Sequence, residues 1–148
     1  HIVTVLDQRW RKTSRNLWTQ WHGEYQQQRN RCEQLRKLHS GPRPLTLAEI
    51  MEIAQLNELF APPQTSIPLY QEALALEPNH PEAHLAIGRL LLVQGDERGL
   101  PHLETAMHYQ PELTAPGCQL AFNFLLLQGH PDEANRYEER AQRHCLRV

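Results

Sequence analysis

From residue 7 to about residue 39, apolar side chains recur at steps of three and four positions, the spacing of one face of an α-helix. The residues on this face are Trp10, Ser14, Leu17, Trp18, Trp21, Tyr25, Gln28, Cys32, Leu35 and Leu38. Arginine, lysine, glutamine, asparagine and glutamate dominate the opposite face, and no proline interrupts the run before Pro42. The pattern predicts one long amphipathic helix that ends at the Gly- and Pro-containing stretch 40–44.

After residue 45 the helical pattern breaks into short segments separated by proline and glycine. The segments predicted as helices are about 46–60, 65–77, 81–94, 97–109, 114–128 and 131–146. Thr46 and Glu49 have the spacing of a capping box at the start of the first segment. Because no alternating apolar and polar stretch indicates a strand, the sequence predicts an all-α fold.

The short helices repeat along the chain. The segment from Ala86 to Gly95 realigns 34 residues later with the segment from Leu120 to Gly129. Pro78 and Pro111 lie 33 residues apart, and each is expected to end the second helix of a pair. A fixed period of this length is typical of solenoids built from helix pairs.

These positions resemble the tetratricopeptide repeat (TPR), a helical-repeat family. Its small residues and closing proline match Gly88, Gly95, Gly99, Ala106 and Pro111 in the middle repeat, Gly129, Ala134 and Ala141 in the last, and Ala54, Ala73 and Pro78 in the first. Small side chains allow two antiparallel helices to approach closely. Three departures stand out: Pro62-Pro63 between the first two short helices, Phe122 at a position for a small residue, and Pro101 within a second helix. Pro101 fits only if that helix begins near Leu100.

The resemblance implies antiparallel helix pairs stacked as a short TPR-like superhelix, preceded by the long Trp-rich helix. We therefore divide the chain into a helix at 1–40 and a repeat domain at 41–148, with repeats at about 46–78, 81–111 and 114–146. Such domains bind proteins or peptides, and we expect a non-catalytic interaction module. The alternative is a self-associating domain that sets the oligomeric state of a free-standing adaptor.

A second resemblance covers more of the chain. The Trp-rich helix followed by repeats and the stretch 115–120 are similar to the soluble C-terminal tail of bacterial membrane-bound HExxH zinc metallopeptidases, which resemble CAAX prenyl proteases. The apolar start 1–6 is expected to be part of a longer parent chain. This resemblance implies that zinc belongs to the parent protein and that the chain is associated with a membrane through it, or is otherwise cytoplasmic.

Composition and charge narrow the functional classes. The net charge of -2 provides no basic field for nucleic acid, and no run of about 18 apolar residues predicts a membrane span. Cys32, Cys118 and Cys145 lack paired spacing, which favours free thiols in a reducing compartment. We expect no catalytic residue, cofactor or metal site in this chain.

Two local features, the histidines and Cys118, are candidates for metal binding or reactivity. The string from His80 to His84 has the wrong order for a His-Glu-x-x-His zinc motif, and His80 is expected to lie outside the helix. The remaining histidines, His84 and His102 among them, are expected at the surface or at an interface. Cys118, near a helix start, has either a lowered pKa or a plain packing role.

By the TPR resemblance, the first helices of each repeat line a concave face. Gln55, Arg89 and Asn123 recur at intervals of 34 residues, and Leu85, Leu92, Gln119 and Leu126 are expected beside them. Amide side chains can pair with a peptide backbone, and arginine can bind a carboxylate. Alternatively these are ordinary solvent-facing polar residues. The stripe Trp10, Trp18, Trp21 and Tyr25 is expected to fill the groove, cap the first repeat, pack on a second copy or lie against the parent protein.

Overall fold

The computed structural model describes the backbone of residues 2–147 and the side chains of residues 8–147. This part of the chain contains seven α-helices and two short 3-10 turns, and no strand. The chain divides into two compact units, His1–Pro44 and Leu45–Val148, and each is described by itself.

The first unit consists of helix α1, Ile2–His39. The helix begins earlier than residue 7, because the apolar stretch at the start of the chain continues the same helical run. Arg36, Lys37 and His39 lie in its last turn, where positive charge interacts favourably with the helix dipole. The predicted long helix is therefore present, and it extends from the amphipathic stretch 7–39 back through the apolar start.

The second unit contains three antiparallel helix pairs. Their helices are α2 (Leu47–Phe60), α3 (Ile67–Leu76), α4 (Pro81–Val93), α5 (Gly99–Tyr109), α6 (Thr114–Leu127) and α7 (Pro131–Arg147). The pairs α2–α3, α4–α5 and α6–α7 make the main contacts, and α3–α4, α5–α6 and α4–α6 contacts join one pair to the next. Pro101 lies in the first turn of α5, as the sequence requires.

A glycine contact sets the spacing of the α4–α5 pair. A Cβ atom added to Gly99 would lie 2.5 Å from the carbonyl oxygen of Gly88 and 2.8 Å from Cγ of Leu92. Ordinary Cβ contacts are longer, so any side chain at Gly99 would push the two helices apart. The resemblance singled out both glycines, and the structure shows their packing role.

The first repeat replaces this glycine contact with hydrogen bonds. The Ser66 hydroxyl donates to the carbonyl oxygen of Ala54 over 2.9 Å. The buried Asn57 amide donates to Oγ1 of Thr65 over 2.7 Å and to Oγ of Ser66 over 3.1 Å. These bonds hold α2 against the turn Pro63–Ser66, where the sequence has Pro62-Pro63 instead of glycine.

Candidate functional site

The three residues spaced 34 apart lie on successive first helices: Gln55 on α2, Arg89 on α4 and Asn123 on α6. Gln55, Leu85 and Arg89 line one cavity of about 400 Å³. Its other lining residues are Met51, Glu58, Tyr70, Glu82, Ala86 and Leu113. We call this cavity the α2–α4 groove.

Arg89 forms an ion pair inside the groove. Its Nη2 atom lies 2.7 Å from Oε1 of Glu58, and the hydroxyl of Tyr70 donates to Oε2 of the same carboxylate over 2.6 Å. Burial, and then the hydrogen bond to Glu58, raise the pKa of Tyr70 well above its usual range. An incoming carboxylate would have to compete with Glu58 for Arg89.

The sequence predicts an arginine in the groove that could bind a carboxylate of a partner. In the structure, the groove also contains carboxylates of this chain. Glu58 and Glu82 contribute two carboxylates, and Arg89 contributes one guanidinium. Sequence reasoning missed Glu58, although it lies one helical turn after Gln55 on α2. A recurring tyrosine could have revealed Tyr70 as the hydrogen-bond partner of Glu58. Tyr70 and Tyr137 occupy equivalent positions on the second helices of their repeats, and each donates a hydrogen bond to a glutamate.

The remaining predicted groove residues are distributed differently. Gln119, Asn123 and Leu126 are exposed on α6 and do not line the α2–α4 groove. Leu92 is 8% exposed and packs in the core with Leu103. The sequence-based placement of Leu92 at the partner surface is corrected: its side chain contributes to the close α4–α5 packing at Gly99.

The aromatic stripe of α1 is largely exposed. Trp10, Trp18 and Trp21 are 72%, 61% and 53% exposed, while Tyr25 is half-buried. The ring centroids of Trp18 and Trp21 lie 5.2 Å apart, and those of Trp21 and Tyr25 lie 5.5 Å apart. Contacts between neighbouring aromatic rings of this kind are weakly stabilising. What the stripe binds stays a prediction.

Two of the histidines expected at the surface or at an interface, His84 and His102, form a half-buried pair. Nε2 of His84 donates to the carbonyl oxygen of Pro78 over 2.8 Å, and the Nδ1 atoms of His84 and His102 lie 3.0 Å apart. Because a carbonyl only accepts, a neutral His84 carries its proton on Nε2 and its Nδ1 accepts from His102. Burial, and then the charge of His84, lower the pKa of His102. His80 lies outside α4 and caps it by accepting from the backbone N–H of Ala83.

Cys118 has the packing role rather than the reactive one. Its thiol is buried, and the Sγ atom lies 3.8 Å from Sδ of Met107. Burial raises the pKa of the Cys118 thiol. Of the two alternatives, the packing role agrees with this burial and the lowered pKa does not, because desolvation is the largest cause of the shift and raises the pKa. Cys32, Cys118 and Cys145 are all free thiols.

Among the side chains of residues 8–147, no group of three or more His, Cys, Asp or Glu residues is arranged to hold a metal ion. No described helix combines the length and apolar character needed to cross a membrane.

Comparison with known proteins identifies the architecture. The chain matches no protein-family profile, and no curated protein sequence matches it. Two crystal structures of MamA resemble it, with TM-scores of 0.63 and 0.62 at 18% and 19% identity. The similarity covers 69% and 67% of this chain, which spans 60% and 54% of the length of those chains. The protein has a TPR-like, all-helical repeat fold.

Proposed function

We propose that this chain is a non-catalytic interaction module that binds an extended protein segment in the α2–α4 groove and along α6. The observation that carries the proposal is the cavity of about 400 Å³ in which Gln55, Leu85 and Arg89 meet. Asn123 occupies the equivalent position of the next first helix. A row of amide and apolar side chains suits a peptide held by its main chain.

The charges of the groove refine the kind of segment it accepts. Glu58 already satisfies Arg89, so the arginine offers little to an acidic side chain. Gln55 and Asn123 are exposed and can each form hydrogen bonds to a peptide group. The preferred partner is an apolar or mildly basic segment in extended conformation.

Selection from a displayed random peptide library, using the whole chain as bait, supplies the probe for a test. The best binder, labelled with a fluorophore, is titrated by fluorescence anisotropy. We expect the double variant Gln55→Ala/Asn123→Ala to weaken binding about tenfold or more, since two hydrogen bonds are lost. Gln142→Ala, at an exposed position on α7, is the matched control and should bind normally. Equal binding by all three proteins would remove the groove from the proposal.

The resemblance to metallopeptidase tails supports a more specific proposal about context. The chain is the soluble C-terminal domain of a membrane-bound zinc metalloprotease and presents substrates or partners to it. Sequencing the coding region upstream of His1 is the direct test. A His-Glu-x-x-His helix between hydrophobic spans supports the proposal, and its absence overturns it while leaving the groove untouched.

The exposed tryptophans favour a second candidate function, self-association. Trp10, Trp18 and Trp21 form an apolar stripe that a second copy of α1 would cover. Sedimentation of the whole chain over a range of concentrations measures the oligomeric state. Loss of an oligomer in Trp18→Ala/Trp21→Ala, with helix content retained, supports this candidate, and a monomer at every concentration contradicts it.

A further inference from the structure

Four arginines lie on one face of the last helix. Arg136, Arg140, Arg143 and Arg147 follow steps of four, three and four along α7, which places them on a single stripe. Residues 45–148 contain six arginine or lysine residues against 14 aspartate or glutamate residues, so this stripe holds most of the positive charge of the second unit. We call it the α7 arginine face.

The α7 arginine face borders two shallow cavities. One, of about 380 Å³, is lined by Thr114, Arg140, Arg143, His144 and Arg147, with no carboxylate among them. The other, of about 350 Å³, shares Arg140 and Arg143 and adds Glu104, Glu133, Arg136 and Tyr137. Positive charge is therefore concentrated around a surface depression with room for a ligand. None of these residues lines the α2–α4 groove.

One arginine of the face is held in place and the others are available. Nη1 of Arg140 lies 2.9 and 2.7 Å from the two carboxylate oxygens of Glu104, which also accepts a hydrogen bond from Tyr137 over 2.8 Å. The hydrogen bond to Glu104 raises the pKa of Arg140. Among residues 8–147, no ion pair engages Arg143 or Arg147. These two guanidinium groups can bind carboxylates from outside the chain.

We propose that the α7 arginine face docks an extended acidic peptide segment of another protein. Arg143 and Arg147 are separated by about 6 Å along the helix axis. Alternate side chains of an extended peptide are separated by about 6.6 Å, so carboxylates at every second position match the arginines. The distance from Arg136 to Arg147, about 16 Å, accommodates roughly five peptide residues.

The surrounding charges favour a peptide over a nucleic acid. Asp132, Glu133 and Glu139 border the stripe on the same helix, and the second unit as a whole is acidic. A continuous phosphate backbone needs a broad basic field, whereas spaced carboxylates require only local arginines.

The proposal is tested by fluorescence anisotropy with the blocked, fluorescein-labelled peptide Gly-Asp-Ser-Asp-Ser-Asp-Gly and the whole chain. We expect the wild type to bind it, and Arg143→Ala/Arg147→Ala to bind at least about tenfold more weakly. Arg98→Ala is the control for a loss of positive charge elsewhere: it removes one positive charge from the same unit, at a residue bound to Asp96 and outside the face. It should change binding less than about twofold.

A charge exchange separates a specific site from general attraction. Arg143→Glu/Arg147→Glu should lose the aspartate peptide and gain binding to Gly-Lys-Ser-Lys-Ser-Lys-Gly. The proposal is overturned if the aspartate peptide binds no better than an all-serine peptide, or if Arg98→Ala weakens it equally. Tighter binding of a single-stranded oligonucleotide overturns it as well. The proposal is also overturned if the chain binds no peptide and instead self-associates in a way that depends on Arg143 and Arg147.

Discussion

At the scale of single residues, Gly99 is the glycine of the repeat domain that leaves the least room for a side chain. Gly88 and Gly99 face each other where α4 and α5 approach, and the Leu92 side chain covers the contact. Only a hydrogen atom fits at these positions. The cost of a larger side chain is therefore a displacement of whole helices rather than a local adjustment.

Gly99→Ala is expected to lower the free energy of unfolding by about 1–3 kcal/mol, because its Cβ would overlap the Gly88 carbonyl oxygen. Thermal and urea unfolding followed by circular dichroism measure this effect. Gly23→Ala is the control, since no atom lies within 4 Å of its added Cβ and alanine favours a helix. An unchanged melting temperature for Gly99→Ala would contradict the close approach.

Two tyrosines, the buried Tyr70 and the half-buried Tyr137, are expected to make the stability of the fold depend on alkaline pH. Tyr70 donates to Glu58 and Tyr137 donates to Glu104, and burial followed by these hydrogen bonds raises the pKa of both phenols. A tyrosine titrates near pH 10 when unfolded. The folded state holds its proton more tightly, so this stabilisation is complete below about pH 10 and declines as the pH rises further.

We expect Tyr70→Phe/Tyr137→Phe to lose about 1–3 kcal/mol of stability at neutral pH. Its stability should also fall less steeply than that of the wild type above about pH 10. Urea unfolding between pH 8 and 11 tests both effects. Tyr109→Phe, at a residue 51% exposed, should follow the wild type. Parallel curves for all three proteins would show that these phenols do not control the alkaline decline.

At the scale of elements, the first helices of the second and third repeats end in the same way. Gly95 and Gly129 both have φ +80°, the left-handed conformation that glycine adopts without strain. Directly after Gly95, the N–H of Asp96 donates to the carbonyl oxygen of Leu91 over 2.9 Å. Directly after Gly129, the N–H of His130 donates to the carbonyl oxygen of Leu125 over 2.8 Å. The 34-residue period therefore includes the geometry of the helix ends.

Gly95→Ala should destabilise the fold by about 1 kcal/mol, because alanine is strained at positive φ. Gly95→Asn should lose less, since asparagine tolerates this conformation. Chemical denaturation of the two variants gives the ranking directly. Nothing lies within 4 Å of a Cβ added at Gly95, so overlap cannot explain the loss. The reverse ranking would contradict the left-handed helix end.

At the scale of the whole molecule, each unit has its own internal organisation, and within the second unit the middle repeat is the most enclosed. Helix α4 contacts α3, α5 and α6, whereas α7 packs mainly on α6. In a stacked array, each helix pair depends on its neighbours for burial. The middle pair has a neighbour on both sides.

Native-state hydrogen exchange should therefore show the slowest amide exchange in α4 and α5, with faster exchange in the last turns of α7. Opening α7 exposes mainly its interface with α6, whereas opening α4 exposes its interfaces with α3, α5 and α6. Mass spectrometry or NMR on the whole chain resolves the helices. Uniform protection from α2 to α7 would mean that the unit opens only as a whole.

The sequence by itself determined the helices, their pairing and the repeat, because spacing, capping residues, prolines and glycines act within a few positions of the chain. It indicated the capping box at Thr46, the first-turn position of Pro101 and the small residues at Gly88 and Gly99. Tertiary structure alone decided which polar groups meet: Glu58 with Arg89, His84 with His102, and Glu104 with Arg140. These partners lie 31, 18 and 36 residues apart. Whether they touch depends on the rotation and separation of packed helices, which helical periodicity along the chain does not define.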